Sequence, residues 1–99
     1  MKTFINKKTE ITFEGKPSGF ANLAMIALNT PPQGGWTTDE MRKRIKVLTK
    51  LDKQELEAKI ELEDAEFDTI HDCTKVLKWQ FMHKDIVAFE DYLDEIKKE

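Results

Sequence analysis

The sequence predicts an α+β domain that is mostly helical, with three to four helices, a small N-terminal β-hairpin and one further short strand. Three observations predict it. Apolar residues recur at helical spacing in several stretches of ten or more residues, two short runs alternate apolar and polar, and Gly, Pro and capping residues fall between them. Ninety-nine residues suit one compact domain spanning residues 1–99.

Ile11 and Phe13 alternate with Thr12 and Glu14, and the run stops at Gly15, as a short strand ending in a turn would. Phe4 and Ile5 are its expected hairpin partner, with the NKKT stretch as the turn. From Gly19 to Asn29, Phe20, Leu23, Ala24 and Ala27 follow the i, i+3, i+4, i+7 rule, and Met25, Ile26 and Leu28 widen the stripe almost all the way round. This is the helix expected to be most buried, with Ser18 as its N-cap and an end near Asn29, because Pro31 disfavours helical geometry at Thr30.

TTDE then reads as a capping box, Thr37 at the N-cap and Glu40 three residues on, opening a helix from Thr38 to about Asp52. Met41, Ile45 and Leu48 form its expected inner stripe, while Arg42, Lys43, Lys46 and Lys50 are displayed elsewhere. LEAKIEL alternates strictly, which predicts a strand around Ala58 to Leu62 added to the N-terminal hairpin, with helical continuation from Asp52 as the alternative. Glu63, Asp64 and Glu66 place acids in the first turn of a third helix whose inner face is Phe67, Ile70, Thr74 and Leu77. WQFMHKD interrupts the pattern. A last helix, about Lys84 to Lys97, carries Ile86, Phe89, Leu93 and Ile96 as an apolar seam, either facing the core or open to a partner.

With 39% hydrophobic and 35% charged residues, the composition is that of a soluble folded protein. No apolar run approaches the roughly 20 residues of a membrane helix, and MKTFINKKTE lacks the apolar stretch of a signal peptide, so the expected location is the cytoplasm. A lone Cys73 makes no internal disulfide and agrees with a reducing compartment. The net charge of −3 hides an asymmetry: residues 1 to 54 carry ten Lys/Arg against five Asp/Glu, residues 55 to 99 six against fourteen. Such polarity favours a charged partner or head-to-tail contact between copies.

Candidate chemistry is sparse. NTPPQGGWTTDEM places two glycines before a helix start, a geometry that can hold an anion, yet Asp39 and Glu40 already occupy that positive end. The loop therefore reads as punctuation, with Trp36 either stapling the helix or exposed as a binding anchor. RKRIK is the basic cluster that could touch nucleic acid through Arg42, Lys43, Lys46 and Lys50, although no recognisable nucleic-acid motif accompanies it and the second half is acidic. That acidic half could instead mimic DNA and occupy a DNA-binding protein. His71 and Cys73 fall on different faces of one helix and Asp68 with His71 supplies only two ligands, so Asp68 and His71 are expected at the surface and Cys73 as a small core residue near Ile70 and Leu77. No catalytic, cofactor-binding or metal-binding set is expected.

The order ITFEGK, NLAMIAL, TTDEMRKRIKVL, IELEDAEFDTI resembles a loose class of short bacteriophage and prophage proteins of unassigned function. In that class a strand with a Gly turn precedes a Leu/Ala-rich helix, a Lys/Arg-bearing helix and an acidic-capped helix. The resemblance spans Ile11 to Ile70 and implies a small accessory protein in a bacterial cytoplasm, without supplying site residues.

The expected function is non-catalytic binding to a protein, either another copy or a larger component, through exposed apolar residues. Trp36, Trp79, Phe81 and Tyr92 are the candidates, with Leu93 and Ile96 if the last seam is free.

Overall fold

The computed structural model describes all 99 residues, and its two small antiparallel sheets diverge from a single junction at Asn6 and Lys7. β1 (Lys2–Ile5) pairs with β4 (Lys59–Leu62), Phe4 opposite Ile60, whereas β2 (Lys8–Phe13) pairs with β3 (Lys16–Gly19). The helices are α1 (Phe20–Asn29), α2 (Thr38–Leu51), α3 (Asp64–Val76) and α4 (Lys84–Lys98), so the fold is α+β and mostly helical. None of them is long and apolar enough to cross a membrane.

The hairpin is displaced from its predicted partners. Glu14 and Gly15 both have positive φ, 54° and 77°, and join Phe13 to Lys16 as a two-residue turn whose twist matches the strands. Gly15 is therefore the centre of the hairpin rather than its end. Pro17 is tolerated in β3 because this two-stranded sheet needs no second row of N–H donors there. Phe4 and Ile5 pair with β4 instead, whose alternating buried Ile60 and Leu62 continue the same apolar face.

Ser18 is not the cap of α1. It lies buried in β3, where its hydroxyl donates to the Ile11 carbonyl at 2.7 Å and meets the Thr9 hydroxyl at 2.8 Å, satisfying backbone at the irregular stretch of β2. The N-cap is Gly19, and the capping group comes from far away: Asn6 Oδ1 accepts the Ala21 N–H at 2.8 Å. Asn6 is fully used, its Nδ2 donating to the Gln54 and Glu55 carbonyls and its backbone exchanging bonds with Glu57 and Ala58. A Cβ on residue 19 would stand 2.2 Å from Asn6 Oδ1, which is why that position is glycine.

Around this junction sits an aromatic cluster. Phe20 and Phe4 pack edge-on to Phe89 with centroids 5.3 and 6.3 Å away, and Tyr92 closes the group while its hydroxyl accepts the Ile5 N–H at 3.0 Å. α1 lies at the centre with Leu23, Ala24, Ala27 and Leu28 buried, packed against α2, α3 and α4.

Asn6→Ala is expected to cost about 3 kcal/mol in urea denaturation, since it leaves the buried Ala21 N–H and the Gln54 carbonyl without a partner and strips the Glu55 carbonyl of one of its two donors. Gly19→Ala should be similarly costly alone and cheaper in the Asn6→Ala background, where the clashing oxygen is gone. Strict additivity of the two costs would refute the shared cause.

Candidate functional site

The orientation of α2 is set by one buried cation. Arg44 donates from Nη1 to the carbonyls of Leu28 at 2.9 Å and Thr30 at 3.3 Å, and from Nε to Glu40 at 3.3 Å. The last turn of α1 contains no basic residue, so this guanidinium supplies the positive charge and the donors that the C-terminal end requires. Thr37 caps α2 as predicted, accepting from the Glu40 N–H, but the Glu40 carboxylate turns to Arg44 rather than back to the cap.

Turning Arg44 inward rolls α2 off its predicted face. Val47 and Leu51 join Arg44 as the buried positions, whereas Met41 and Ile45 are 40% and 60% exposed and Leu48 is half-buried. The expected inner stripe is thus largely an outer one. Together with Trp36 and Leu28 it lines a hollow of about 180 Å³. Asn29 leads from there across α1 to a second hollow of about 400 Å³, shaped by Phe13, Met25 and Ile26. Of all the residues lining these two hollows only Arg44 carries a formal charge, and it is buried. In a chain that is 35% charged, an uncharged face of this kind is the most unusual surface present.

Of the residues proposed for protein binding, Trp36 alone lies on this face, half-buried beside Arg44, with its indole N–H unpartnered. Phe81 is exposed next to Met82 in the α3–α4 connection, and Trp79 packs half-buried against the core. Tyr92 is held by its bond to Ile5, and Leu93 and Ile96 are core residues at 0% and 5% exposure, so the last seam is closed rather than free. What covers it is β1 with α1 and α3, through Phe4, Phe20 and the inner face of α3.

The basic residues of α2 are answered within the molecule. Arg42 pairs with Asp39 at 2.7 Å and Lys50 with the buried Glu66 at 2.6 Å, while Lys43 and Lys46 share a hollow with Glu66, Asp68 and Asp72. Burial alone would lift the Glu66 carboxyl, but the Lys50 ammonium, the Glu63 backbone N–H and the charges of Lys50 and Lys46 hold it below its ordinary 4.5. The acids of α3 and α4 are likewise engaged, Asp94 and Glu90 with Lys75 and Asp68 with Lys97.

His71 departs from its expected surface position: its ring is largely buried and Nε2 meets Asp94 Oδ1 at 2.9 Å, tying α3 to α4. Burial pushes the Cys73 thiol up, with Arg44 pulling the other way, so it sits as a small core residue.

The fold also gathers Glu10, His83 and Asp85, a set that sequence spacing could not reveal because β2 and α4 are distant in the chain. One side-chain atom of each is already engaged within the molecule. His83 Nδ1 accepts the Asp85 N–H at 3.0 Å, Asp85 Oδ2 accepts the Glu10 N–H at 2.7 Å, and the Lys84 ammonium lies 3.0 Å from Glu10 Oε2. The cluster is a staple between β2 and the start of α4, with an ammonium where a metal ion would need an open carboxylate.

Comparison of the chain with protein-family models, curated proteins and solved structures finds no match.

The Lys50–Glu66 pair sets a pH dependence. Because the folded Glu66 value lies below the ordinary one, its contribution is complete above about pH 4.5 and is lost as pH falls through the folded value. Glu66→Gln should be less stable than the parent at neutral pH, with the difference closing in acid. A gap in thermal midpoint that persists unchanged at about pH 3 would contradict the assignment.

Proposed function

We propose that the chain is a non-catalytic protein-binding module whose contact surface is the uncharged face of α1 and α2. The observation that carries this reading is the exposure of Met41 and Ile45 beside a partly buried Trp36, around a hollow lined by no exposed charge. Aromatic residues and Met are enriched, and charged residues depleted, at the centres of protein interfaces, where water is excluded and an unpaired charge is costly. A standard interface takes about 800 Å² per partner, close to one face of a molecule measuring 34 × 30 × 25 Å. The partner is a second copy or an apolar surface of another protein. The resemblance of Ile11–Ile70 to short phage proteins extends the reading to an accessory role in a bacterial cytoplasm.

Nucleic-acid binding through Arg42, Lys43, Lys46 and Lys50 is less well supported, because two of these four cations are paired and the others face the acids of α3. The same pairing weakens the DNA-mimic reading, since Asp68, Glu90 and Asp94 are partly neutralised.

Ile45→Glu and Met41→Glu should each leave thermal stability within about 0.5 kcal/mol, because both sites are exposed. Each should weaken association by about tenfold or more, measured by sedimentation across a concentration series and by capture from bacterial lysate with nuclease. Reversing Lys43 and Lys46 to Glu should leave association intact. Binding that survives Ile45→Glu and disappears on reversing the lysines would overturn the proposal in favour of nucleic acid.

A further inference from the structure

Arg44 has more hydrogen-bonding capacity than the fold consumes. A guanidinium carries five N–H donors. Nε serves Glu40 and Nη1 serves Leu28 and Thr30, while Nη2 has no hydrogen-bond partner. The side chain is only 10% exposed, and Nη2 is not fully sealed from solvent.

On its α3 side Arg44 lines a hollow of about 490 Å³. Pro31 and Pro32 form one wall, Val76 and Leu77 the other, and Lys78 stands at the same end of α3. Cys73, on this wall, feels the Arg44 charge, with Glu40 and Asp72 acting in the opposite sense from outside the lining. No carboxylate lines the hollow, although Asp and Glu outnumber Lys and Arg by 19 to 16 in the chain. The hollow between α2 and α3, in contrast, mixes Lys43 and Lys46 with three acids. Val76 is 76% exposed on an otherwise well-packed helix, an apolar wall with nothing of this chain against it.

We infer that this hollow binds a carboxylate carried on a compact apolar body, the carboxylate on Nη2 of Arg44 and the body between the prolines and Val76. Charge selects the monoanion. Glu40 balances one positive charge, so Arg44 and Lys78 leave a surplus of one, which suits a carboxylate better than a phosphate dianion. The volume falls in the range of small-ligand sites. Two sources share this chemistry, a free organic acid and the C-terminal carboxylate of a peptide.

The test is a titration of the ¹⁵N-labelled protein, following the amides of Gln33, Val76, Leu77 and Lys78 and the Nε–H of Arg44. The probes are N-acetyl-leucine, a short peptide ending in Leu, the amidated form of each, and inorganic phosphate. Saturable shifts at these positions with the carboxylates, and binding about tenfold or more weaker for the amides, would support the site. Tighter binding of the peptide acid would assign the source to a protein C-terminus, and equal binding would assign it to free acids. Lys78→Glu and Val76→Asp, both at exposed positions, should each weaken binding by about tenfold without changing the fold. Arg44 itself is left intact because it holds the end of α1. Ile45→Glu should leave this binding unchanged, which separates the site from the α1–α2 face. Amides that bind as tightly as acids, phosphate that binds as tightly as either, or the lack of any saturable shift would overturn the inference.

Discussion

The amide of Asn6 is the interaction on which the arrangement depends. It sits where β1 ends and β2 begins, and its side chain joins the start of α1 to the chain entering β4. A buried amide is costly unless its donors and acceptor are paired, and here the pairs come from segments far apart in sequence. Gly19 permits the approach, because any side chain there would collide with the amide oxygen. Fixing that point places both sheets against the first turn of α1, and it brings Phe4 and Phe20 onto Phe89 of α4. The aromatic cluster and the polar junction thus meet at the same point of the fold.

Arg44 does at the far end of α1 what Asn6 does at its start. Neither end of this apolar helix is completed by its own side chains alone, since Asn22 reaches only the Gly19 N–H, Asn29 and Thr30 bond back to Met25 and Ile26, and the remaining groups look outward for partners. Both long-range partners are polar residues buried for the purpose. The consequence for α2 is rotational. A helix that must turn an arginine inward to reach the Leu28 and Thr30 carbonyls cannot also bury Met41 and Ile45, so the helix end is satisfied by exposing apolar surface.

This explains what the sequence discloses and what it conceals. Helix limits are legible because they are local: Pro31 stops α1, Thr37 caps α2 and the alternation around Ile60 marks β4. The short strand Lys16–Gly19 is hidden because Pro17 and Gly19 read as breakers, so although β4 joins the N-terminal strands as expected, β2 takes β3 as its partner in place of β1, and no local signal chooses between them. The face of α2 is misread for a different reason. Periodicity counts Met41, Ile45 and Leu48 as a core stripe, and nothing in a window of that size shows that the carbonyls of a preceding helix need a cation. Leu93 and Ile96 lie where an apolar seam is expected, but only the packing of β1, α1 and α3 decides that the seam is closed. Trp36 was legible as a candidate anchor, whereas Met25, Ile26 and Phe13 became part of the same face only through folding.

The charge asymmetry of the chain acquires a physical meaning in this light. The basic helix α2 packs beside the acidic α3, joined by Lys50 and Glu66, and α3 is joined to α4 by Lys75 with Asp94 and Lys97 with Asp68. Much of the polarity is thereby answered between neighbouring elements, and the two hollows along α1 and α2 are lined by no exposed charge. A domain of this size has little apolar surface to spare for its core, so placing Trp36, Met41 and Ile45 outside and a guanidinium inside sacrifices stability in isolation. A contact that covers this face would return that apolar area to a dry environment without stranding a charge, and this is the physical basis for reading it as the working surface of the protein.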